Sequence, residues 1–308
     1  MVTAAVVGGL IFGTQTVFPG QSGAVSESSA KAEEKTDKVD RSDKADVADQ
    51  LASEDASSDL SGAQALGTTT ATAPTSTPTV RAASGASTTA AALANSLSFG
   101  GHSWMVKSSI GTVGPGPNRY AAKNATVDAA GNLHLQITKD KGKWYSSEIV
   151  NTASLGYGTY RWTATTDLSM LDRNVVLGLF TWNDLPDYAN REIDIEVARW
   201  GSATDPTNAQ FVVQPYGNPG HLQRFVQPAG GPSTLEFTWS PGRIDYLVSQ
   251  GAVVVASWSY LAPDVPMPGG ETVRMNLWQY QGLAPANGQP LEVVFSNFDY
   301  CNPSGVCQ

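Results

Sequence analysis

Apolar and polar residues alternate along Leu133-His134-Leu135-Gln136-Ile137 and again along Thr159-Tyr160-Arg161-Trp162. A period of two is that of a strand with one face buried and one face wet. Val175–Trp182 is a continuous apolar run of strand length, which fits a strand covered on both sides. Ile244–Val248 and Ala252–Trp258 flank Ser249-Gln250-Gly251, and this spacing predicts a hairpin. Val273–Trp278 and Leu291–Phe298 supply two further strands. Pro and Gly punctuate most intervals, as in Gly114-Pro115-Gly116-Pro117. No long amphipathic helix and no internal repeat breaks the series. Many short strands separated by turn signals predict an all-β sandwich over residues 96–308.

Upstream of Ser96 the pattern is different. Val2–Phe18 is mostly apolar but is interrupted at Thr14-Gln15-Thr16, and small residues follow it to Ala24. It is too short and too broken for a membrane span, and it resembles the apolar core and cleavage zone of a signal peptide. The positive leading segment is missing, so either the true start lies upstream or the segment is no signal peptide. Export is the favoured reading, with residues 1–24 as the leader and a secreted or cell-surface protein as the product. Val25–Asn95 contains no aromatic residue and passes from a Lys/Glu/Asp/Ala-rich stretch into a Thr/Ala/Ser/Pro-rich one. Such a composition cannot bury enough apolar surface to offset chain entropy. Residues 25–95 are therefore expected to be a disordered, low-complexity linker.

Composition sharpens this division. Of the 27 aromatic residues, 25 follow Asn95, and large aromatics supply most of a core's buried area. Ser26–Leu60 holds 11 acidic and 5 basic residues, so it carries six of the nine net negative charges. The acidity belongs to the linker rather than to a binding surface. No basic patch stands out, which argues against nucleic acid as a partner. Cys301 and Cys307 are separated by a stretch with Pro303 and Gly305, and in an exported protein they read as a small disulfide loop. His102, His134 and His221 are scattered, so no metal centre is expected.

The candidate chemistry lies in Arg191-Glu192-Ile193-Asp194-Ile195-Glu196-Val197. On a strand, Glu192, Asp194 and Glu196 share one face, and Ile193, Ile195 and Val197 share the other. Three like charges in a row repel each other, and Lys or Thr would serve a merely solvated face at lower cost. Retaining glycosidases hold two carboxyl groups about 5–5.5 Å apart. The Cα atoms of the two outer residues lie about 13 Å apart on a regular strand, and two Glu side chains leaning inward by about 4 Å each close that gap. Asp194 between them can hydrogen-bond a neighbour and hold the pair in different protonation states.

Glu192-Ile193-Asp194-Ile195-Glu196 resembles the hallmark of glycoside hydrolase family sixteen, the lichenase, laminarinase and xyloglucan-transferase family. Tyr157-Gly158-Thr159-Tyr160, Leu179-Phe180-Thr181-Trp182, Trp239-Ser240-Pro241-Gly242-Arg243-Ile244 and Met275-Asn276-Leu277-Trp278 resemble further segments of it, in the family's order. The resemblance covers nearly all of Phe99–Tyr300. It implies a concanavalin-like β-jelly-roll with a concave sheet as the sugar cleft, Glu192 as nucleophile, Glu196 as acid/base and Asp194 as assistant. It also implies that Glu148 lines the cleft. Two positions depart from the pattern. Val150 stands where the family has Arg, and Asn190 stands where lichenases have Trp. Members often carry a structural calcium on the convex side, but no Asp/Asn loop in this sequence identifies one, and no cofactor is required for the chemistry.

Sugar clefts use aromatic faces and amides. Trp182, Trp200 and Trp278 are candidates for stacking, each weighed against a core tryptophan. Trp200 shares the parity of Glu196 if the strand runs that far. Gln214 and Tyr216 share parity with each other, and Asn118 resembles a residue of a cleft-rim loop. The expected activity is endo-acting, retaining hydrolysis of a β-linked glucan or galactan, with β-1,3/1,4-glucan favoured. The expected partner is therefore a polysaccharide, and the mature domain is expected to be a monomer without stable membrane insertion. A transglycosylase and a non-catalytic glycan-binding module on the same fold are the alternatives.

Overall fold

A computed structural model describes residues 95–308. The leader and linker expectations concern residues outside the described ones. Sixteen strands are described: β1 (Ser96–Phe99), β2 (His102–Val106), β3 (Ala125–Val127), β4 (Leu133–Asp140), β5 (Lys143–Tyr145), β6 (Ser147–Asn151), β7 (Gly158–Ala164), β8 (Val175–Trp182), β9 (Ile193–Ala198), β10 (Ala209–Val213), β11 (Leu222–Phe225), β12 (Ser233–Ser240), β13 (Arg243–Gln250), β14 (Val253–Tyr260), β15 (Thr272–Gln279) and β16 (Leu291–Cys301). The described helices are all short 3-10 turns. None is long and apolar enough to cross a membrane.

The strands form two antiparallel sheets. One runs β1-β2-β6-β15-β8-β9-β10-β11. The other runs β14-β13-β12-β7-β16-β4-β3, with β5 attached to β4. This is the all-β sandwich that the strand pattern predicted. The runs at Leu133–Ile137, Thr159–Trp162 and Val175–Trp182 all lie within strands, and the hairpin at Gly251 joins β13 to β14.

The two sheets differ in how burial alternates, and that difference places the site. In the second sheet β7 and β12 alternate strictly between buried and half-buried residues, as a sheet with one wet face must. In the first sheet every residue of β8 and β10 is buried, and nearly every residue of β15. One face of these strands packs in the core. The other is sheltered by its own side chains, which lie against one another rather than in open water.

The core fills the space between the sheets with interdigitated aromatics. Trp162 packs against Tyr160, Phe237 and Phe298, with centroids 5.5–6.4 Å apart. Tyr246 of β13 reaches across the core. Its ring stacks on Phe211 at 4.8 Å, and its hydroxyl donates to the Val212 carbonyl at 2.6 Å. A buried phenol needs such a partner, and here the bond fastens one sheet to the other. Cys301 and Cys307 are joined in a disulfide, as their spacing led one to expect.

Candidate active site

The concave face is built from cross-strand rows. The first three carboxylates to place are Glu192, Asp194 and Glu196. Glu192 precedes β9, at the end of the 3-10 turn Pro186–Arg191, with extended backbone (φ −78°, ψ 134°). The strand proper therefore begins one residue later than expected. Because Glu192 is extended, the alternation holds through it. Ile193, Ile195 and Val197 are fully buried in the core, and the three acids take the opposite face.

Glu196 stands in the middle of a row that runs from β6 to β11. It pairs with Gln210 on β10 and Gly178 on β8. Gly178 pairs with Asn276, and Asn276 with Glu148. Gln210 pairs with Arg224 at the far edge. The Lys107 amide bonds the Glu148 carbonyl at 2.9 Å and closes the row at the other end. Along it, Gln210 Nε2 donates to Glu196 Oε2 at 2.6 Å, and Arg224 donates to Gln210 Oε1 at 3.0 Å. The glutamine is thus oriented by the guanidinium, and Glu196 by the glutamine. Arg224 is itself fixed by Asp205 and the Ala198 and Thr207 carbonyls.

Two carboxyls, those of the buried Asp194 and the half-buried Glu196, are pushed toward the protonated form. Burial raises Glu196 to about 7, against the opposing pull of Gln210 and Arg224. Asp194 lies well above the ordinary carboxylate range. Burial is the main cause, followed by the charges of Glu192 and Glu196 and a hydrogen bond to Glu192. Gln214 Nε2 reaches Asp194 Oδ2 at 3.5 Å and acts in the opposite direction. Three carboxylates on one face cannot all stay ionised at close quarters. The arrangement keeps a proton on the middle one, beside Glu192, and lets Glu196 exchange its own near neutrality.

Gly178 opens the centre of the row. A Cβ added there would sit 2.5 Å from Asn276 Oδ1. Asn276 is buried, and its Oδ1 has no hydrogen-bond partner among the described residues. Its amide therefore occupies the space a side chain on β8 would take, next to Glu196. Gly178→Ala is expected to destabilise the fold by ~1–3 kcal/mol, the usual cost of overpacking, by forcing Asn276 aside. Chemical denaturation checks this, and an unchanged unfolding midpoint would mean that Asn276 yields without strain.

The remaining expected residues fall into distinct places. Glu148 is buried on the cleft sheet, ion-paired with Lys107 at 3.0 Å and near Arg274 at 3.6 Å. Arg274 is the cross-strand partner of Val150, so a guanidinium lies beside the position where the sequence lacks the expected arginine. Trp278 is buried beneath Trp200 and Tyr280 in a small cluster at one end of the face. Trp182 is also buried, and its Nε1 donates to Asp184. These two tryptophans offer edges rather than open platforms.

β9 ends at Ala198, and Trp200 has a left-handed φ of 51°, so strand parity does not deliver it to the cleft. A turn does, and its Nε1 donates to Gln210 Oε1 at 3.3 Å while the ring stays partly exposed. β10 likewise ends at Val213. Gln214 still meets Asp194, and the Tyr216 amide caps the Gln214 side chain at 3.0 Å. Asn118 lies next to Gln279 at the end of β15. It is buried, and its amide holds Pro115, Ser146 and Gln279 together, so it pins the rim loop from beneath. Gln210, Arg224 and Asn276 were not singled out as site residues from the sequence. Among the described residues no three His, Cys, Asp or Glu side chains converge as a metal site.

No family model matches the chain, and no curated protein sequence does. Solved structures do match it. The β-glucanase of Bacillus licheniformis aligns with 64% of this chain and 91% of its own, at 22% identity and a TM-score of 0.50. A β-1,3-1,4-glucanase (lichenase) from a mouse hindgut metagenome aligns with 65% of this chain and 92% of its own, also at 22% identity and 0.50. A laminarinase from Flavobacterium sp. UMI-01 aligns with 64% and 92%, at 14% identity and 0.50. At these identities the likeness concerns the fold. That fold is a jelly-roll sandwich of two antiparallel sheets, as the ordered motifs implied.

Proposed function

We propose that the chain is a secreted, retaining endo-glycosidase that cleaves a β-linked glucan by double displacement. The observation that carries this reading is the shared face of Glu192, Asp194 and Glu196, with Glu196 raised to about 7 by burial. A general acid is most useful when its pKa lies near the working pH. In the first step Glu192 attacks the anomeric carbon while Glu196 gives its proton to the departing glycosidic oxygen. The C–O bond to the leaving sugar breaks as the bond to Glu192 forms. In the second step Glu196, now a carboxylate, takes a proton from water, the water oxygen bonds to the anomeric carbon, and Glu192 leaves.

Asp194 serves both steps through Glu192. Its carboxyl holds a proton and is hydrogen-bonded to Glu192, which favours the anionic nucleophile and eases its departure from the intermediate. Gln210 orients Glu196, and Trp200 provides an aromatic surface beside it. The solved β-glucanase, lichenase and laminarinase of like fold favour a β-1,3/1,4-glucan as the substrate. The disulfide is compatible with an oxidising compartment.

Incubation with lichenan, laminarin, xyloglucan, agarose and carrageenan, with products sized and their anomers read by NMR, tests the proposal. Internal cleavage of lichenan or laminarin with retained configuration is expected. Inverted products would sink the two-step mechanism. Products longer than the substrate would mark a transglycosylase, and no turnover on any polysaccharide a glycan-binding module.

A further inference from the structure

The cleft sheet ends at β11, and the nearest part of the other sheet is its own edge strand, β14. Gln223 of β11 donates to the Ser257 carbonyl of β14 at 3.3 Å. Where the β10–β11 turn meets the end of β14 there is an open pocket of about 640 Å³, whose wall includes Pro219, His221, Trp258, Tyr260, Leu261 and Asp264. None of these residues belongs to the row of acids.

The pocket is held rigidly from behind. The Trp258 ring is half-buried and stacked on Tyr246, with centroids 5.3 Å apart and planes 18° from parallel. His221 is buried, with Nδ1 3.0 Å from the Val213 carbonyl and Nε2 2.9 Å from the Tyr260 hydroxyl. Tyr260 donates to Asp264 Oδ1 at 2.7 Å, and His221 Nε2 lies 3.1 Å from Asp264 Oδ2. The Asp264 side chain nonetheless remains 53% exposed, and Leu261 is 61% exposed beside it. A tryptophan and an exposed leucine offer apolar surface for the C–H face of a pyranose. A fixed, water-facing carboxylate offers an acceptor for its hydroxyls.

Charge narrows the class of sugar. The hydrogen bond from Tyr260 is the main cause that holds Asp264 below its ordinary carboxylate range, so it is ionised at neutral pH and disfavours uronate or sulfated rings. Location narrows it further. His221 is joined to Val213 through both its backbone carbonyl and its ring, and Gln214, the next residue, touches Asp194. The pocket therefore lies just past the edge of the cleft, where a long chain leaving the acids across β10 and β11 would arrive.

We propose that this pocket is a second glycan-binding site, which takes uncharged pyranose residues of a polysaccharide long enough to span it and the cleft together. The proposal rests on the glycan-active reading above.

The test uses the full chain and four proteins: wild type, Trp258→Ala, Trp258→Phe and Asp264→Ala, each checked by thermal unfolding. Lichenan affinity is read by affinity electrophoresis, and turnover on lichenan and on a short aryl β-glucoside by steady-state kinetics. Both alanine variants are expected to weaken lichenan affinity and raise its KM about fivefold or more, while the short substrate changes less than twofold. Trp258→Phe should recover most of the loss. Lichenan affinity equal to wild type in both folded alanine variants overturns the proposal, as does an equal loss on short and long substrates. If Trp258→Ala fails to fold, Asp264→Ala decides. Wild-type protein that binds lichenan through Trp258 but cleaves nothing overturns the catalytic reading alone.

Discussion

Glu192→Ala is expected to lose turnover on every substrate, on the order of 10⁴-fold or more, because no covalent intermediate can form without the nucleophile. Glu196→Ala should lose about 10²–10⁴-fold on polysaccharide, the usual contribution of a general acid. It should keep much of its rate of glycosylation by aryl glycosides whose leaving groups need little protonation. Azide separates the roles further. In Glu192→Ala it can enter only from the vacated nucleophile face, and an activated β-glycoside should give the inverted glycosyl azide. In Glu196→Ala it attacks the glycosyl-enzyme from the opposite face and should give the retained azide. NMR of the products decides. The opposite pattern would exchange the two roles, and near-normal activity in both variants would remove these carboxyls from the chemistry.

The second large effect concerns stability. Glu196 is raised to about 7 from an ordinary 4.5, chiefly by burial. Between those pH values the folded protein holds a proton that the unfolded chain has released. The stabilising contribution is thus fully present below about 4.5 and is lost as pH rises through about 7. Asp194 is raised as well, so it acts with the same sign. Groups with depressed values, such as Asp245 and Glu292, act the other way, and their contribution is lost in acid, below this window. A shift of that size corresponds to about 3 kcal/mol, reduced to about 2 kcal/mol by the water that reaches the partly exposed side chain. Glu196→Gln should therefore be more stable than wild type at pH 8 and nearly equal to it at pH 4.5. Denaturant titrations at the two pH values check this. Parallel pH dependence in the two proteins would show that Glu196 is not strained by burial.

Much of this site is legible in the sequence because strand alternation is a local property. The parity of Glu192, Asp194 and Glu196 follows from two spacings of two, and the apolar run at Val175–Trp182 already indicates a strand covered on both faces. What could not be read depends on register. Gln210 is fourteen residues from Glu196 and Asn276 eighty, and nothing local says that β10 and β15 will set them in one row. Trp200 reaches the neighbourhood of Glu196 by another route than parity, since two left-handed residues, Trp200 and Gly201, replace the strand continuation after β9. The partners of Asn118 could not be read either, because only the fold sets its oxygen and nitrogen against Ser146 and Gln279. In each case the side chain's chemistry was visible and its partner was not.

β16 comes last of the sixteen strands, yet it lies in the interior of its sheet, between β7 and β4. During synthesis those two strands have no common neighbour until the residues around Leu291–Cys301 have left the ribosome. Until then each presents an unpaired edge, and the hydrophobic layer beneath them has a gap where Val293, Phe295 and Phe298 belong. The sandwich can close only after nearly all of the chain has been made, through pairings distant in sequence that form slowly. Until β16 is in place, β7 and β4 cannot be joined into one sheet.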